Sequence, residues 1–369
     1  MRLFSAVAVL LGCSLGTASQ ESPAGKPLVF RGVSVIDGAG APIQHLSVRV
    51  EQIQEWRREI AEGKRPGPRI VAAGPFVDGP RPYWPGSIPA GTGDEAREAV
   101  RSVKKRGVDF VKVYSLLPRE AFFALAEEAK LQGLSFAGHV PRAVTAAEAS
   151  RAGQKSMEHL YEVFDVDEKK APELYADFVK HGTWQVPTLC ILEVFPFRAE
   201  VIRRTAPLLK YLPASLKKQW GLRAEGWYKS RTEEEMERFR QRFRKQLARV
   251  GAMHRAGVPL LAGSDAANPH VFPGFGLHDE LELLVKAGLT PMEALQCATR
   301  KPAEYLEKLD RLGTVEKGKA ADLVLLDADP LENISNTRKI FAVVAAGRLF
   351  TKDSIRQLLE SVEAAANSK

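Results

Sequence analysis

The chain has little cysteine and no N-terminal apolar run of membrane-spanning length. Only three cysteines occur among 369 residues, too few for the disulfide framework that stabilises small secreted domains. Two of them, Cys190 in a strand-like run and Cys297 in a helical one, are expected to be buried thiols. The apolar run from Leu3 to Leu11 is far shorter than the roughly 20 residues of a membrane-spanning helix. These shortages argue against a disulfide-stapled small protein and against an N-terminal membrane span.

Motifs of nucleic-acid binding are also missing, although the chain is basic. Lys and Arg number 53 against 45 Asp and Glu, which gives a net charge of +8. The densest basic stretch, Arg238 to Arg249, alternates with Phe239, Phe243 and Leu247 at helical spacing. That pattern predicts an amphipathic helix with a solvated basic face. No DNA- or RNA-binding motif accompanies it, so we expect no nucleic-acid partner.

The first 19 residues resemble an export signal, with a basic start, an apolar run and then small residues. Within them, Leu10 to Cys13 resembles a bacterial lipobox, in which Cys13 would be lipidated after cleavage. Cleavage after Ala18 or Ser19 is the alternative. Both interpretations predict an exported protein that is periplasmic, secreted or lipid-anchored to the cell envelope. A lipid at Cys13 would be its one membrane contact.

Short apolar runs alternate with helical stretches through most of the chain. The helices have start signals in the capping boxes that begin at Thr145, Thr232 and Thr290. Such alternation predicts an α/β fold with a parallel sheet and helices outside it. The predicted strands are Arg69 to Gly74, Phe110 to Tyr114, Ser135 to Val140, Lys155 to Leu160, Trp184 to Leu192 and Val258 to Ala266.

Four residues with metal-binding chemistry stand at or near the ends of these runs: Lys112, His139, His159 and Asp265. A lysine within an apolar strand is costly, because desolvation disfavours its ammonium form. Neutral imidazoles are ligands that divalent zinc prefers. In a parallel barrel, catalytic groups lie at the carboxyl ends of the strands. Taken singly, each residue also has a structural interpretation: a strand-end lysine, two core histidines and a capping aspartate.

Several phrases of the sequence resemble the metal-dependent amidohydrolase superfamily. They are RREIAEGKRPGPRIVAAGPFVDGP, FVKVY, GHVP, MEHL, GSDA, LHDELELLVKAGLTPMEALQCATRKPAEYL and GTVEKGKAADLVLLD. The resemblance runs from about Leu28 to Phe350 and looks closest to the imidazolonepropionase-like and Xaa-Pro or Xaa-Arg dipeptidase-like group. It implies a TIM-type (β/α)8 barrel beside a small β-sandwich formed by both chain ends. The implied divisions are a sandwich of residues 28–50 and 311–350, a barrel of 51–310 and a C-terminal helical tail of 351–369.

The resemblance also implies roles for the four residues. Lys112, as a carbamate, would bridge two divalent metals, and His139 and His159 would bind the second of them. Asp265 would bind the first metal and accept the proton of the attacking water. Tyr114 and His278 are candidate substrate contacts, with strand packing and a surface helix start as their alternatives. Glu158 is expected to pack or hydrogen-bond beside the ligands.

One part of the family pattern is absent, because no His-x-His pair occurs in the sequence. The six predicted strands match strands three to eight of the family barrel. Around Val50 and Glu51 the sequence changes abruptly from a sandwich-like to a helical pattern. This change predicts an incomplete barrel that lacks strands one and two, which corresponds to a gap of roughly 60 to 80 residues relative to the family. We therefore expect one ion at most, with zinc favoured, bound by Lys112, His139 and His159.

Two functional hypotheses follow. The first is a metal-dependent hydrolase of C–N bonds in small substrates, such as dipeptides or cyclic amides, with impaired activity. The second is a catalytically inactive exported protein that keeps the shell as a binding or structural remnant. A sugar- or phosphate-binding barrel fits less well, because no Gly-rich phosphate loop follows the last strands.

Overall fold

The computed structural model describes residues 50–65, 67–228, 231–266 and 268–367. The proposed export signal with Cys13 and the first sandwich segment up to residue 49 lie outside these residues. Val50, assigned above to the sandwich, is instead the first residue of a helix. No helix within the described ranges is long and apolar enough to cross a membrane.

A parallel sheet of six short strands forms the centre of the fold. The strands are β1 Val77–Asp78, β2 Ile88–Pro89, β3 Phe110–Val113, β4 Ser135–Gly138, β5 Ser156–Glu158 and β6 Trp184–Val186. Their order in the sheet is β2-β1-β3-β4-β5-β6. Leu260 extends the sheet beyond β6 through a single bridge to Gln185, and among the described residues no strand joins β2 to Leu260. The expected α/β fold with a parallel sheet is confirmed.

The predicted strand boundaries were wrong in two runs. The run from 69 to 74 meets the sheet only through the bridge of Ala73 to Phe110, and β1 lies just after it. The run from 184 to 192 ends as a strand at Val186, because Pro187 lacks the N–H that a ladder needs. Its apolar second half, beginning at Leu189, is helical. Apolar character alone does not distinguish a buried strand from a buried helix.

Thirteen α-helices are present in the described part of the chain, most of them on the outside of the sheet. The capping boxes predicted at Thr145, Thr232 and Thr290 are confirmed, and Thr92 forms a fourth. The helices are α1 Val50–Ala61, α2 Gly93–Lys105, α3 Arg119–Leu131, α4 Ala146–Arg151, α5 Ala171–His181, α6 Leu189–Val194, α7 Arg198–Thr205, α8 Ala214–Tyr228, α9 Glu233–Arg255, α10 Phe275–Lys286, α11 Pro291–Ala298, α12 Arg300–Tyr305 and α13 Lys352–Asn367.

The main core lies between the parallel sheet and the helices that follow its strands. All four residues of β3 are buried, so this strand is covered on both faces. On one face Val111 belongs to the cluster that contains Phe122 and Leu125 of α3. Phe110 and Lys112 of β3 are not part of that cluster, and Lys112 is 1% exposed. A charged group therefore occupies a position at which the sheet otherwise buries apolar side chains.

A second, antiparallel sheet of three strands lies near the C-terminal end: β7 Leu323–Leu326, β8 Ile340–Ala345 and β9 Arg348–Thr351. Between β8 and β9, Ala346 and Gly347 both have positive φ, as a tight hairpin turn requires. The other neighbour of β8 is β7.

Candidate active site

The four predicted residues come together at the carboxyl ends of the strands. Lys112 is in β3, and His139 and His159 directly follow β4 and β5. Asp265 follows the segment that bridges to β6 through Leu260. An open cleft of about 520 Å³ is lined by His139, His159, Asp265 and Tyr114, and Lys112 is not part of its lining. The order of strands in the sheet therefore assembles groups that are far apart in sequence.

His139 presents one ring nitrogen to the protein and leaves the other without a partner. Its Nδ1 is hydrogen-bonded to Ser115 Oγ at 2.7 Å. Its Nε2 is buried and makes no hydrogen bond within the described residues. Burial, with smaller effects from His159 and Lys112, holds the pKa of His139 well below its usual value. The ring is therefore neutral, and with the proton on Nδ1 the lone pair of Nε2 is available to a ligand.

His159 repeats this arrangement with a different hydroxyl. Its Nδ1 is 2.8 Å from Thr188 Oγ1, and its buried Nε2 has no hydrogen-bond partner in the described part of the chain. Burial, with Lys112 as a smaller cause, holds its pKa well below the usual value. The rings of His139 and His159 meet edge to face, with centroids 4.9 Å apart. A hydrogen bond on one nitrogen that leaves the second available is the usual state of a metal-binding histidine.

Lys112 and Glu158 form a buried ion pair next to these imidazoles. Their side chains are 1% and 3% exposed. Glu158 Oε2 is also 3.7 Å from His159 Nε2. Burial lowers the pKa of Lys112 to about 7, while the Asp265 carboxylate acts in the opposite direction. A lysine with so low a pKa has a substantial neutral fraction near pH 7, which is the form that takes up CO₂ to give a carbamate.

Asp265 lines the same cleft. Its Oδ2 accepts a hydrogen bond from Asn268 Nδ2 at 2.7 Å and lies 3.9 Å from His159 Nδ1. Its side chain is 8% exposed. A carboxylate with one oxygen held in this way is suited to accept a proton or to bind a cation.

The backbone is strained around the cleft. Eight residues other than glycine have positive φ within the described ranges, and six of them follow β5 or β6 or border the cleft. They are His159, Leu160, Glu162, Thr188, Asp265 and His270. Such conformations cost about 1–3 kcal/mol each and persist where the surrounding structure enforces them. The strain coincides with the residues that carry chemistry.

Aromatic side chains form one wall of the cleft. Tyr114 stacks on His139 with ring centroids 4.0 Å apart, and its hydroxyl accepts a hydrogen bond from Trp84 Nε1 at 2.6 Å. Tyr161 lies against His139 at 4.7 Å. Tyr114 was predicted from the sequence as a substrate contact, whereas Tyr161 was not predicted, although it stands two residues after His159. Ser115 and Thr188 were missed as well, since their hydroxyls give no distinctive sequence signal.

His278 lies away from these residues. It is in α10, where its Nδ1 is 2.9 Å from Thr337 Oγ1, a residue near the small antiparallel sheet. Burial, with a contribution from Arg338, lowers the pKa of His278 to about 4. It does not border the cleft described above, and its role as a substrate contact stays a prediction.

The residues present fit one divalent ion better than two. Two neutral imidazoles with ring centroids 4.9 Å apart each have a buried Nε2 without a hydrogen-bond partner among the described residues, and neutral imidazole nitrogen is a donor that zinc takes. A third donor would be Lys112 as a carbamate. Within the described ranges, however, no group of three or more His, Cys, Asp and Glu side chains is arranged to hold a metal.

Two sequence relatives cover different shares of the chain. An ochratoxinase from Aspergillus niger is 27% identical over 297 residues, which is 74% of this chain. An imidazolonepropionase from Shouchella clausii is 30% identical over 120 residues, which is 31% of this chain. The chain spans 53% of the length of the ochratoxinase, about half of that relative.

Solved structures of similar fold are amidohydrolases and dipeptidases. A bottromycin amidohydrolase has a TM-score of 0.71 at 24% identity, covering 85% of this chain and 72% of that one. A Xaa-Pro dipeptidase with bound methionine has a TM-score of 0.60 at 22% identity, covering 81% and 72%. At these identities the likeness shows the fold. The profile of the Amidohydrolase family matches residues 37–350, and with the sheet and the strand-end residues already described, this chain belongs to the amidohydrolase family.

Proposed function

We propose that the chain is a metal-dependent hydrolase of a C–N bond in small amide substrates. The observation that carries this proposal is the matched pair of imidazoles at the cleft. His139 and His159 each hold one ring nitrogen against a hydroxyl and leave Nε2 buried without a partner among the described residues. Burying such a nitrogen is unfavourable unless a ligand satisfies it.

One divalent ion, with zinc favoured, would be held by His139, His159 and a carbamate on Lys112. When bound, such an ion supplies Lewis acidity, which lowers the pKa of water and polarises a carbonyl. Burial, which lowers the pKa of Lys112 and so favours its neutral amine, supports the carbamate. In the carbamate form Lys112 would no longer be the cationic partner of Glu158, so carbamylation and the ion pair compete for the same amine.

Asp265 is the group proposed to move the proton. It would accept a proton from the attacking water at a carboxylate oxygen and return it to the leaving nitrogen. The hydrogen bond from Asn268 to Oδ2 holds the carboxylate in place for this transfer. Tyr114, oriented by Trp84, is positioned at the cleft to contact a substrate carboxylate or the developing oxyanion.

The substrate class proposed is a dipeptide or another small amide, cyclic amides included. The cleft volume of about 520 Å³ suits a small molecule. The relatives are named as an ochratoxinase and a Xaa-Pro dipeptidase, which act on small molecules. We also propose that the protein is exported, on the basis of residues 1–19.

Reduced activity is part of the proposal, because the sequence has no His-x-His pair for a second metal. The alternative is a catalytically inactive protein that keeps the shell for binding. It is favoured by the absence, among the described residues, of a three-residue His, Cys, Asp or Glu metal group.

Zinc titration of the purified full chain in bicarbonate buffer, followed by a panel of dipeptides and cyclic amides, separates the two. We expect about one zinc per chain and slow hydrolysis, with both lost in His139→Ala and His159→Ala. The matched control is His181→Ala, since His181 is an exposed residue at the end of α5. A wild-type chain that binds no zinc and cleaves nothing in the panel supports the inactive alternative.

A further inference from the structure

A buried carboxyl group behind the cleft is not used by the proposed chemistry. Glu280 is in α10 and is 0% exposed. Its Oε2 accepts a hydrogen bond from the backbone N–H of Cys190 at 2.8 Å. Its Oε1 is buried and makes no hydrogen bond within the described residues. A carboxyl group so placed is expensive, and nothing in the packing of α10 alone requires one.

The backbone segment that donates a hydrogen bond to Glu280 lies next to the residue that contacts His159. Cys190 is the second residue of α6, and Thr188 immediately precedes that helix. Thr188 has φ 49° and provides the hydroxyl 2.8 Å from His159 Nδ1. A β-branched residue at positive φ is strained, so a contact that fixes the next turn of chain also fixes the position of this hydroxyl.

The first turn of α6 is also hydrogen-bonded to the residue before Asp265. The thiol of Cys190 donates to the backbone carbonyl of Ser264 at 3.1 Å. Ser264 precedes Asp265, which has φ 55°. Glu280 thus accepts a hydrogen bond from Cys190, which lies two residues after the partner of His159 and donates its thiol to the residue before Asp265.

We propose that Glu280 is a positioning residue that sets His159 and Asp265 relative to each other by holding the first turn of α6. It does not line the cleft, and it acts on the two residues through Thr188 and Ser264. The assignment rests on the proposed function only for the statement that His159 binds the metal and Asp265 moves the proton. The placement of the two side chains is a property of the protein without any ligand.

The alternative role for Glu280 is bulk packing in the core, which a neutral side chain of similar volume would fill equally well. Glutamine keeps the carbonyl oxygen that accepts the Cys190 N–H and nearly the same volume. Aspartate keeps the carboxyl group but withdraws it by one methylene, and alanine removes the acceptor. Glutamine therefore keeps both the acceptor and the volume, aspartate shifts the acceptor with a small loss of volume, and alanine removes both.

The test compares Glu280→Gln, Glu280→Asp and Glu280→Ala in the full chain. The control is Glu128→Ala, since Glu128 is a 3% exposed carboxylate in α3 that pairs with Arg101 and Gln132, away from the cleft. In metal-free protein, amide hydrogen exchange is measured over residues 186–194 and 258–266. The ¹⁵N shifts of the imidazole of His159 report its hydrogen bond to Thr188. Zinc affinity is then measured with the metal ion alone.

We expect faster exchange in both segments and an altered His159 signal in the aspartate and alanine variants, with normal behaviour in the glutamine variant. Zinc affinity should fall by about 10- to 100-fold in the alanine variant, as for other groups that orient metal ligands. The Glu128→Ala control should lose stability with unchanged exchange in these segments. Unchanged exchange and an unchanged His159 signal in both Glu280→Asp and Glu280→Ala would overturn the proposal.

If alanine prevents folding, the aspartate and glutamine variants still decide the question, because equal behaviour of the two contradicts the proposal. A wild-type chain that binds no zinc counts against the proposed function and leaves the exchange measurement to judge Glu280.

Discussion

The carboxyl edge of the parallel sheet and the helical layer around it differ in backbone strain and in how completely their buried polar groups are paired. In the helical layer, four threonines complete capping boxes and buried carboxylates such as Glu128 are matched by arginine. At the carboxyl edge the backbone is strained at six non-glycine positions, and two buried imidazole nitrogens lack partners within the described residues. Helix caps and charge pairs are complete in the helical layer, whereas backbone strain and unpartnered buried nitrogens occur at the edge where chemistry is proposed.

The largest effect is expected from removing the cation of the buried pair. Lys112→Met leaves Glu158 as an uncompensated buried charge, which should lower the free energy of unfolding by about 3–5 kcal/mol and abolish zinc binding. The double variant Lys112→Met with Glu158→Gln should recover most of the stability but none of the zinc binding. Urea unfolding and zinc titration measure these effects.

The control for this prediction is Lys155→Met. Lys155 pairs with Glu307 at 2.9 Å, but the Glu307 side chain is 80% exposed, so the cost should stay below about 1 kcal/mol. Equal losses of stability for Lys112→Met and Lys155→Met would contradict the contrast between the two regions.

A pH-dependent loss of stability is expected from Glu280. Burial raises its pKa to about 8, so between its ordinary pKa and pH 8 the folded chain keeps a proton that the unfolded chain has released. The free energy of unfolding should therefore fall as pH rises through that window, by at most about 1.4 kcal/mol per unit. Glu280→Gln removes this dependence, so its stability relative to the wild type should grow from pH 5 to pH 8.

The titratable neighbours of Glu280 are Cys190, Glu193, Asp279 and Cys297. Of these, Glu193 acts to raise the pKa of Glu280 further. Lys112 has the opposite dependence, since its lowered pKa makes stability rise with pH above about 7. The measurement is therefore the difference between wild type and Glu280→Gln at each pH. A difference that does not change from pH 5 to pH 8 refutes the expectation.

Thr188→Val should have an intermediate effect. It removes the hydroxyl bonded to His159 Nδ1 and leaves that nitrogen buried and unpaired, which costs about 1–3 kcal/mol. Zinc affinity should fall by about 10- to 100-fold because the ring loses its orientation. Thr183→Val is the matched control, since Thr183 is 1% exposed and its hydroxyl is 2.8 Å from Ser150 Oγ. The control should lose stability at constant zinc affinity.

The smallest effect is expected in the helical layer. Thr232→Ala removes the side-chain acceptor of the Glu235 N–H at the start of α9. The cost should be about 1 kcal/mol, without change in zinc affinity or in the exchange of residues 186–194. A change in zinc affinity as large as that of Thr188→Val would mean that the site and the helical layer are not separate.

Much of the fold followed from the sequence, because the signals involved are local. Alternating apolar runs and capping boxes predicted the parallel sheet and the helices, and the structure confirmed both. The errors fall where an apolar run has two outcomes. Residues 189–194 form a helix. The sequence did not predict this, because a short buried apolar run fits either a strand or a helix and only its surroundings in the fold decide between them.

The sequence by itself determined the family, the α/β fold and the positions of Lys112, His139, His159 and Asp265 at strand ends. Their roles as ligands and base stay predictions. Only the tertiary structure decided which hydroxyl holds each imidazole, that Glu158 pairs with Lys112, and that Glu280 reaches the turn before α6. The reason is physical. Helix caps and strand patterns depend on residues a few positions apart, whereas these contacts join residues 24 to 90 positions apart and exist only after the sheet has brought its strand ends together.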